Sequence, residues 1–374
     1  MNSKIILLIL TLINTLGCQK ADKKQVQENK TYSFFVGTYT NGDSQGIYKY
    51  NLQKDGKLGR TGLAAISENP SFLAKSADSK YLIAVNEISD KDNVGSVESF
   101  LIQGDTLKLI NKSSSGGAHP CFVTISESGY VLTANYTGGN VGLLQLNSQG
   151  ELTGLLDLQQ HAGSNTTDRQ KGPHAHSTWF TPKNNDVISV DLGTNELWFS
   201  KLDTEVQKLV PSNPNTLAME PGAGPRHLAF HPNGKWLYVV NELNGTVTLV
   251  EKTIADTYQI KGSFSTLPVD FNESNSCADI HLSSDGKFLY ASNRGHNSIA
   301  IFKVKNDDGA LAPVAHEATR GDGPRNFSLT PDGNFLLVAN QHSNNIISFK
   351  RNAITGLLEF IDEIKAPTPV CILF

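Results

Sequence analysis

One phrase of sequence occurs six times along this chain, and that recurrence restricts the fold more than any other feature. Asn69-Pro70-Ser71-Phe72 leads through Lys80-Tyr81-Leu82-Ile83-Ala84-Val85-Asn86. The pattern comes back from His119-Pro120 to Asn135, Gly172-Pro173 to Asp191, Gly224-Pro225 to Asn241, Ser276-Cys277 to Asn293, and Gly323-Pro324 to Asn340. Starts at 70, 120, 173, 225, 277 and 324 are separated by 50, 53, 52, 52 and 47 residues, close to the ~40–50 of propeller blades. In most copies Asn233-Gly234, Asp285-Gly286, Asp332-Gly333 or a similar pair separates two apolar runs, a strong hairpin signal. A further alternating stretch follows, such as Thr246-Val247-Thr248-Leu249-Val250, so each repeat reads as a meander of about four antiparallel strands.

The two ends of the chain supply one more blade between them. Pro369-Val370-Cys371-Ile372-Leu373-Phe374 reads as a single inner strand, 45 residues after Pro324. Ser33 to Tyr39, Gly46 to Leu52 and Leu63 to Ser67 read as a blade that lacks its first strand. Joining them closes a ring of seven and hides two sheet edges that would otherwise be open to pairing. The expectation is one all-β domain over 32–374, a seven-bladed β-propeller of four-stranded antiparallel blades closed by its C-terminal strand.

Residues before 32 read as targeting sequence rather than fold. Lys4 precedes an apolar run from Ile5 to Ile13, and Asn14-Thr15-Leu16-Gly17-Cys18 follows, the layout of an export signal over 1–18. The run is too short to span a bilayer. The Gly-Cys junction makes Cys18 the candidate lipid-bearing first residue of the mature protein, although Thr15 and Leu16 depart from the usual lipoprotein pattern, and a plain secretory signal is the alternative. Residues 19–31, polar and Lys-rich, would be the tether. The expected location is therefore outside the inner membrane, periplasmic or held to a membrane by lipid alone.

The other cysteines, Cys121, Cys277 and Cys371, have no CxxC or Cys/His spacing for zinc, and their odd number makes no disulfide framework. They read as small apolar residues of buried strands. Thirty-two Lys and Arg against 36 Asp and Glu leave a formal charge of −4, which gives no broad basic surface for nucleic acid.

A propeller concentrates function at one place. The Pro that opens the first strand of a blade and the Asn or Asp that ends the second lie at the same end of the sheet, so in seven blades these ends form one mouth. That level carries Glu87; His119 and Cys121; His174 and His176; Arg226, His227 and Glu242; Asp279 and Arg294; and Arg325, Asn326 and Gln341. Ionisable groups around a partly dry channel are costly unless they are paired or used. Strand alternation would put His174 and His176 on one face, which suits a base, a substrate contact or a metal pair. Arg226 and Glu242 read equally as an ion pair between two strands, and Arg294 as a surface arginine at a turn.

Several motifs together resemble the seven-bladed lactonase family, which includes propeller-type 6-phosphogluconolactonases and carboxymuconate-lactonising enzymes. They are Phe35-Val36-Gly37-Thr38-Tyr39-Thr40, Val85-Asn86-Glu87, Gly172-Pro173-His174-Ala175-His176, Gly224-Pro225-Arg226-His227-Leu228-Ala229-Phe230-His231-Pro232, Ser292-Asn293-Arg294-Gly295-His296 and Pro369-Val370-Cys371. The resemblance runs from about Tyr32 to Phe374. It implies ester chemistry on a small-molecule lactone without a nucleotide cofactor, and its muconate-lactonising branch implies a site of one His, two Arg and one Glu that corresponds to His176 or His174, Arg226, Arg294 and Glu242. His119, His227, Arg325 and Glu87 are weaker candidates for substrate contacts.

The residue types suit that chemistry independently. Lactone hydrolysis needs a base for water and cationic donors for the oxyanion of the tetrahedral intermediate. His176 or His174 can be the base, with Glu242 orienting it or acting instead, and Arg226 and Arg294 can hold a carbonyl oxygen or clamp an anion. No Gly-x-Ser-x-Gly, His-Glu-x-x-His, Walker loop or dinucleotide fingerprint occurs. A metal held by Glu87, Glu242, Asn241 and Asn293 stays as a second reading of the mouth. The polar stretch Gln159 to Lys171 reads as a mobile loop over it. The favoured function is a sugar lactonase of the 6-phosphogluconolactonase type. A non-enzymatic propeller that binds a glycan or a protein, and an enzyme that lactonises an unsaturated dicarboxylate, are the alternatives.

Overall fold

The computed structural model describes residues 30–182 and 186–374. The expected export signal with Cys18, and the tether up to residue 29, lie outside the described residues. The described strands form seven four-stranded antiparallel sheets. Blade 1 takes its inner strand from the C-terminus: Pro369–Leu373 pairs with Tyr32–Thr38, which is followed by Gly46–Leu52 and Leu58–Ile66. Blades 2 to 7 have inner strands Leu73–Lys75, Pro120–Ile125, Ala175–Phe180, Pro225–Phe230, Ser276–Leu282 and Pro324–Leu329. In each of them the following three strands complete the sheet in chain order.

The strands form where they do because every blade is covered on both faces by its neighbours. Second strands such as Trp236–Asn241 and Phe335–Asn340 are buried at every position, so they read as continuous apolar runs bounded by turns. Outermost strands such as Lys208–Ala218 are largely exposed and mix polar with apolar residues. In blade 1 that strand begins at Leu58, five residues before the expected Leu63. Gly59 and Gly62 weaken the sequence signal there, but an outer strand needs backbone pairing more than packed side chains.

Closure of the ring is a paired ladder, with Phe35 opposite Leu373, Val36 opposite Ile372 and Gly37 opposite Cys371. The Phe374 ring lies 5.3 Å from that of Phe34 and 5.8 Å from that of Tyr32. Cys121, Cys277 and Cys371 are free and buried.

A second regularity positions the site. Near its start, each inner strand of blades 3, 4, 5 and 7 carries one more residue than its partner, for instance Pro225 opposite Asn241 but His227 opposite Val240. The extra residues are Cys121, His176, Arg226 and Arg325. A bulge leaves one residue out of the ladder and re-aims its side chain, and these four side chains enter the channel from four blades.

Candidate active site

The bulge residues meet the ends of the second strands around a cavity of about 280 Å³, lined by Glu87, Cys121, Tyr136, Arg169, His176, Glu242, Ser276, Arg294 and Arg325. That is near the small end of ligand sites, ~300–1,000 Å³. Glu242, the residue after the second strand of blade 5, is the hub. Its Oε2 accepts from Arg226 Nε at 3.1 Å and Arg294 Nη2 at 3.1 Å, and its Oε1 accepts from Arg169 Nη2 at 3.2 Å. His176 Nε2 stands 4.0 Å from Glu242 Oε2. On the other side of the cavity Arg325 Nη2 donates to Tyr39 Oη at 2.7 Å, and that hydroxyl donates to Glu87 Oε2 at 2.8 Å. Arg226 Nη1 also donates to the Ala278 carbonyl, and Arg294 donates to the Ser276 and Cys277 carbonyls.

Burial and neighbouring charges together set the protonation states. Burial opposes the Glu242 carboxylate, but Arg294, Arg226, Arg169 and Arg325 together outweigh it and hold its pKa down at about 2. His176 is pushed well below an ordinary imidazole, first by burial and then by Arg226, so at neutral pH it is an uncharged acceptor. Burial, with Arg294 and Arg325 beside it, lowers Arg226 to about 10, still protonated at neutral pH. Burial raises the Cys121 thiol, leaving it neutral. Three guanidiniums and two carboxylates line the cavity, and beneath it Arg226 is matched by Asp279, which leaves an excess of one positive charge.

Several expected residues lie elsewhere. His174 precedes the inner strand of blade 4, so alternation does not pair it with His176; it stacks on Tyr136 at 4.5 Å with Nδ1 on the Tyr136 carbonyl. His119 adopts a left-handed turn (φ 53°), as Gly224 and Gly323 do before their prolines, and bonds Thr137. His227 sits below the cavity, between Arg226 Nη1 and Asp279 Oδ1 at 2.8 Å. Asp279 is deeper than the mouth level predicts and binds His281, Asn326 and the Phe327 amide. Asn293 Oδ1 accepts from Thr266 and Asn275, and neither Asn241 nor Asn293 lines the cavity that Glu87 and Glu242 share, so the four do not converge as a ligand set.

Tyr136 and Arg169 line the cavity without having been singled out in the sequence. Tyr136 follows Asn135 at the end of a second strand, the position Glu87 and Glu242 hold in their blades, and that equivalence could have found it. Arg169 has no repeat counterpart. It lies in the polar stretch before His174, which does run over the mouth but is pinned rather than loose. His161 Nδ1 is 2.7 Å from Asp191 Oδ2, and Gln170 Nε2 donates to the Leu192 carbonyl and to Asn195.

Known proteins share both sequence and architecture with this chain. Residues 33–374 match the model of the family described as lactonase, 7-bladed beta-propeller. The 6-phosphogluconolactonase of Bacillus subtilis is 36% identical over 349 residues, 92% of this chain and 98% of that protein. The 6-phosphogluconolactonase of Formosa agariphila is 36% identical over 311 residues, 79% of this chain and 85% of that protein. The solved structure of the periplasmic gluconolactonase of Pseudomonas aeruginosa superposes with a TM-score of 0.87 at 29% identity, covering 92% of this chain and 98% of that one. A paired seven-blade ring, a mouth of guanidiniums around one carboxylate and an uncharged histidine, and a match over nearly all of the described chain lead to one conclusion: this protein belongs to the seven-bladed β-propeller lactonases, hydrolases that open a cyclic ester.

Proposed function

We propose that the protein hydrolyses a sugar 1,5-lactone, with 6-phosphoglucono-1,5-lactone as the leading substrate, and that His176 is the general base. The observation that carries this reading is the pairing of an uncharged, buried His176 with an excess of guanidinium donors in one cavity. His176 Nε2 removes a proton from water as its oxygen attacks the lactone carbonyl carbon. The carbonyl π electrons move to oxygen, and the oxyanion lies against Arg325 and the Nη1 of Arg294. Those donors have no other partner among the described residues: of the Arg325 nitrogens only Nη2 is engaged, and Arg294 uses Nε and Nη2. Collapse expels the ring oxygen, which takes the proton back from His176 and leaves the open-chain acid. Glu242 stabilises the transient imidazolium and fixes three of the guanidiniums. Donors held rigid before the reaction stabilise the oxyanion without reorganisation.

Proton release from 6-phosphogluconolactone and gluconolactone, measured with and without chelator, tests the reading. We expect hydrolysis above the spontaneous rate that persists in chelator; no rate above background on either lactone overturns it. We also propose that the chain is exported and carries lipid on Cys18, a reading that rests on the layout of residues 1–18 and on similarity to a periplasmic relative. Cell fractionation of wild type and Cys18→Ala tests it: the wild type should fractionate with membranes and the variant as soluble protein, and identical distributions would refute the anchor.

A further inference from the structure

The guanidinium groups of the site differ in how many of their donors are already committed. Arg226 is used by Glu242, His227 and the Ala278 carbonyl. Arg294 is tied to Glu242 and two backbone carbonyls. Arg325 is half-buried at the floor, over the Tyr39 ring at 5.3 Å. Arg169 alone stands at the rim, its side chain 51% exposed. A single nitrogen, Nη2, makes both of its contacts, to Tyr136 Oη at 2.7 Å and Glu242 Oε1 at 3.2 Å. Its Nη1 and Nε have no partner among the described residues.

The mounting of Arg169 is firm although its tip is free. The residue sits in a short 3-10 turn, Asp168–Gln170, within the strap 161–171. The strap is fixed by His161 to Asp191, by Gln170 to Leu192 and Asn195, and by the Gly222 amide, which donates to Asn165 Oδ1. Holding the backbone while leaving two donors pointed at solvent lowers the ordering cost of binding an anion there. Both two-nitrogen edges of the guanidinium include the committed Nη2, so the free N–H groups of Nη1 and Nε offer an oxygen of a carboxylate or phosphate single charge-assisted hydrogen bonds rather than a bidentate fork.

From this geometry, and resting on the lactonase reading above, we propose that Arg169 is a specificity-determining residue that binds a second anionic group of the lactone, a phosphate or a carboxylate remote from the scissile ester. The inner donors then act on the reacting carbonyl while Arg169 reads the distal end of the substrate at the rim. The excess of one positive charge around the cavity is what a substrate with such a group would neutralise, and a neutral lactone would leave it unbalanced.

Calorimetric titration of the full chain with the open-chain acids tests this without relying on turnover. Gluconate carries no second anionic group, glucarate adds a carboxylate and 6-phosphogluconate adds a phosphate. We expect wild type to bind at least one of the latter two roughly tenfold or more tighter than gluconate, and the tighter one identifies the anion. Arg169→Gln should remove most of that preference, Arg169→Lys should keep part of it, and Arg294→Gln should weaken all three acids alike. Equal binding of all three by wild type, or a preference that survives in Arg169→Gln at an unchanged unfolding midpoint, overturns the proposal. If discrimination is present but neither lactone is hydrolysed, the anion site stands and the hydrolytic reading fails.

Discussion

At the residue scale, Glu242 is a permanent anion and His176 a base that stays uncharged. Removing a cation beside His176 should make its protonation easier. The acid limb of kcat/KM in wild type is therefore expected well below the ordinary imidazole value of ~6.5, and in Arg226→Gln it should move to higher pH. A pH–rate series on both proteins checks the direction of the shift. Glu242 gives the complementary stability signature. Its folded pKa of about 2 lies below its ordinary value of 4.5, so its stabilisation is complete above pH ~4.5 and is lost as pH falls toward 2. That difference corresponds to on the order of 3 kcal/mol. Wild type should exceed Glu242→Gln in stability most clearly near pH 6, with the gap closing toward pH 2 in urea titrations. The identities of His176, Arg226, Glu242 and Arg294 were legible in short motifs, because each follows or lies near a repeated Pro or Asn. The pairing of His174 with His176 was not, since it assumed unbroken alternation where the strand starts late and carries a bulge.

Among the strands and turns, the contact that recurs is a glycine turn of one blade seated on an aromatic ring of the blade before it. Gly150 meets Tyr81, Gly309 meets Trp236, Gly356 meets Phe288, and Gly56 meets Phe335 across the junction of the chain ends. All four glycines have positive φ, between 75° and 89°, and a Cβ at Gly356 would lie 2.3 Å from the Phe288 ring. Strain and overpacking add at such a position, so Gly356→Val is expected to cost about 2–4 kcal/mol, read as a lower urea midpoint with an unchanged slope. Hairpins were legible because Asn-Gly and Asp-Gly turns announce them. Bulges were hidden, since one extra residue changes register without changing composition. The strap was seen as polar and therefore expected to be mobile; its anchoring through His161, Asn165 and Gln170 depends on partners 22 to 57 positions away.

For the whole molecule, the period of the repeats and the lone strand at the C-terminus were enough to predict seven blades and their closure. The same geometry gathers side chains from Tyr39 to Arg325 into one cavity, so the site exists only when the ring is shut. Ending the chain after Lys365 removes the inner strand of blade 1 and the Phe374 contacts. The truncated protein is expected to lose cooperative thermal unfolding along with activity, as circular dichroism and an activity assay would show. The most direct test of the account is lactone hydrolysis by His176→Ala beside wild type, with both melting curves recorded. The account predicts a fall in kcat of about 10²-fold or more at a similar melting temperature. A variant that folds like wild type and keeps wild-type kcat would contradict it.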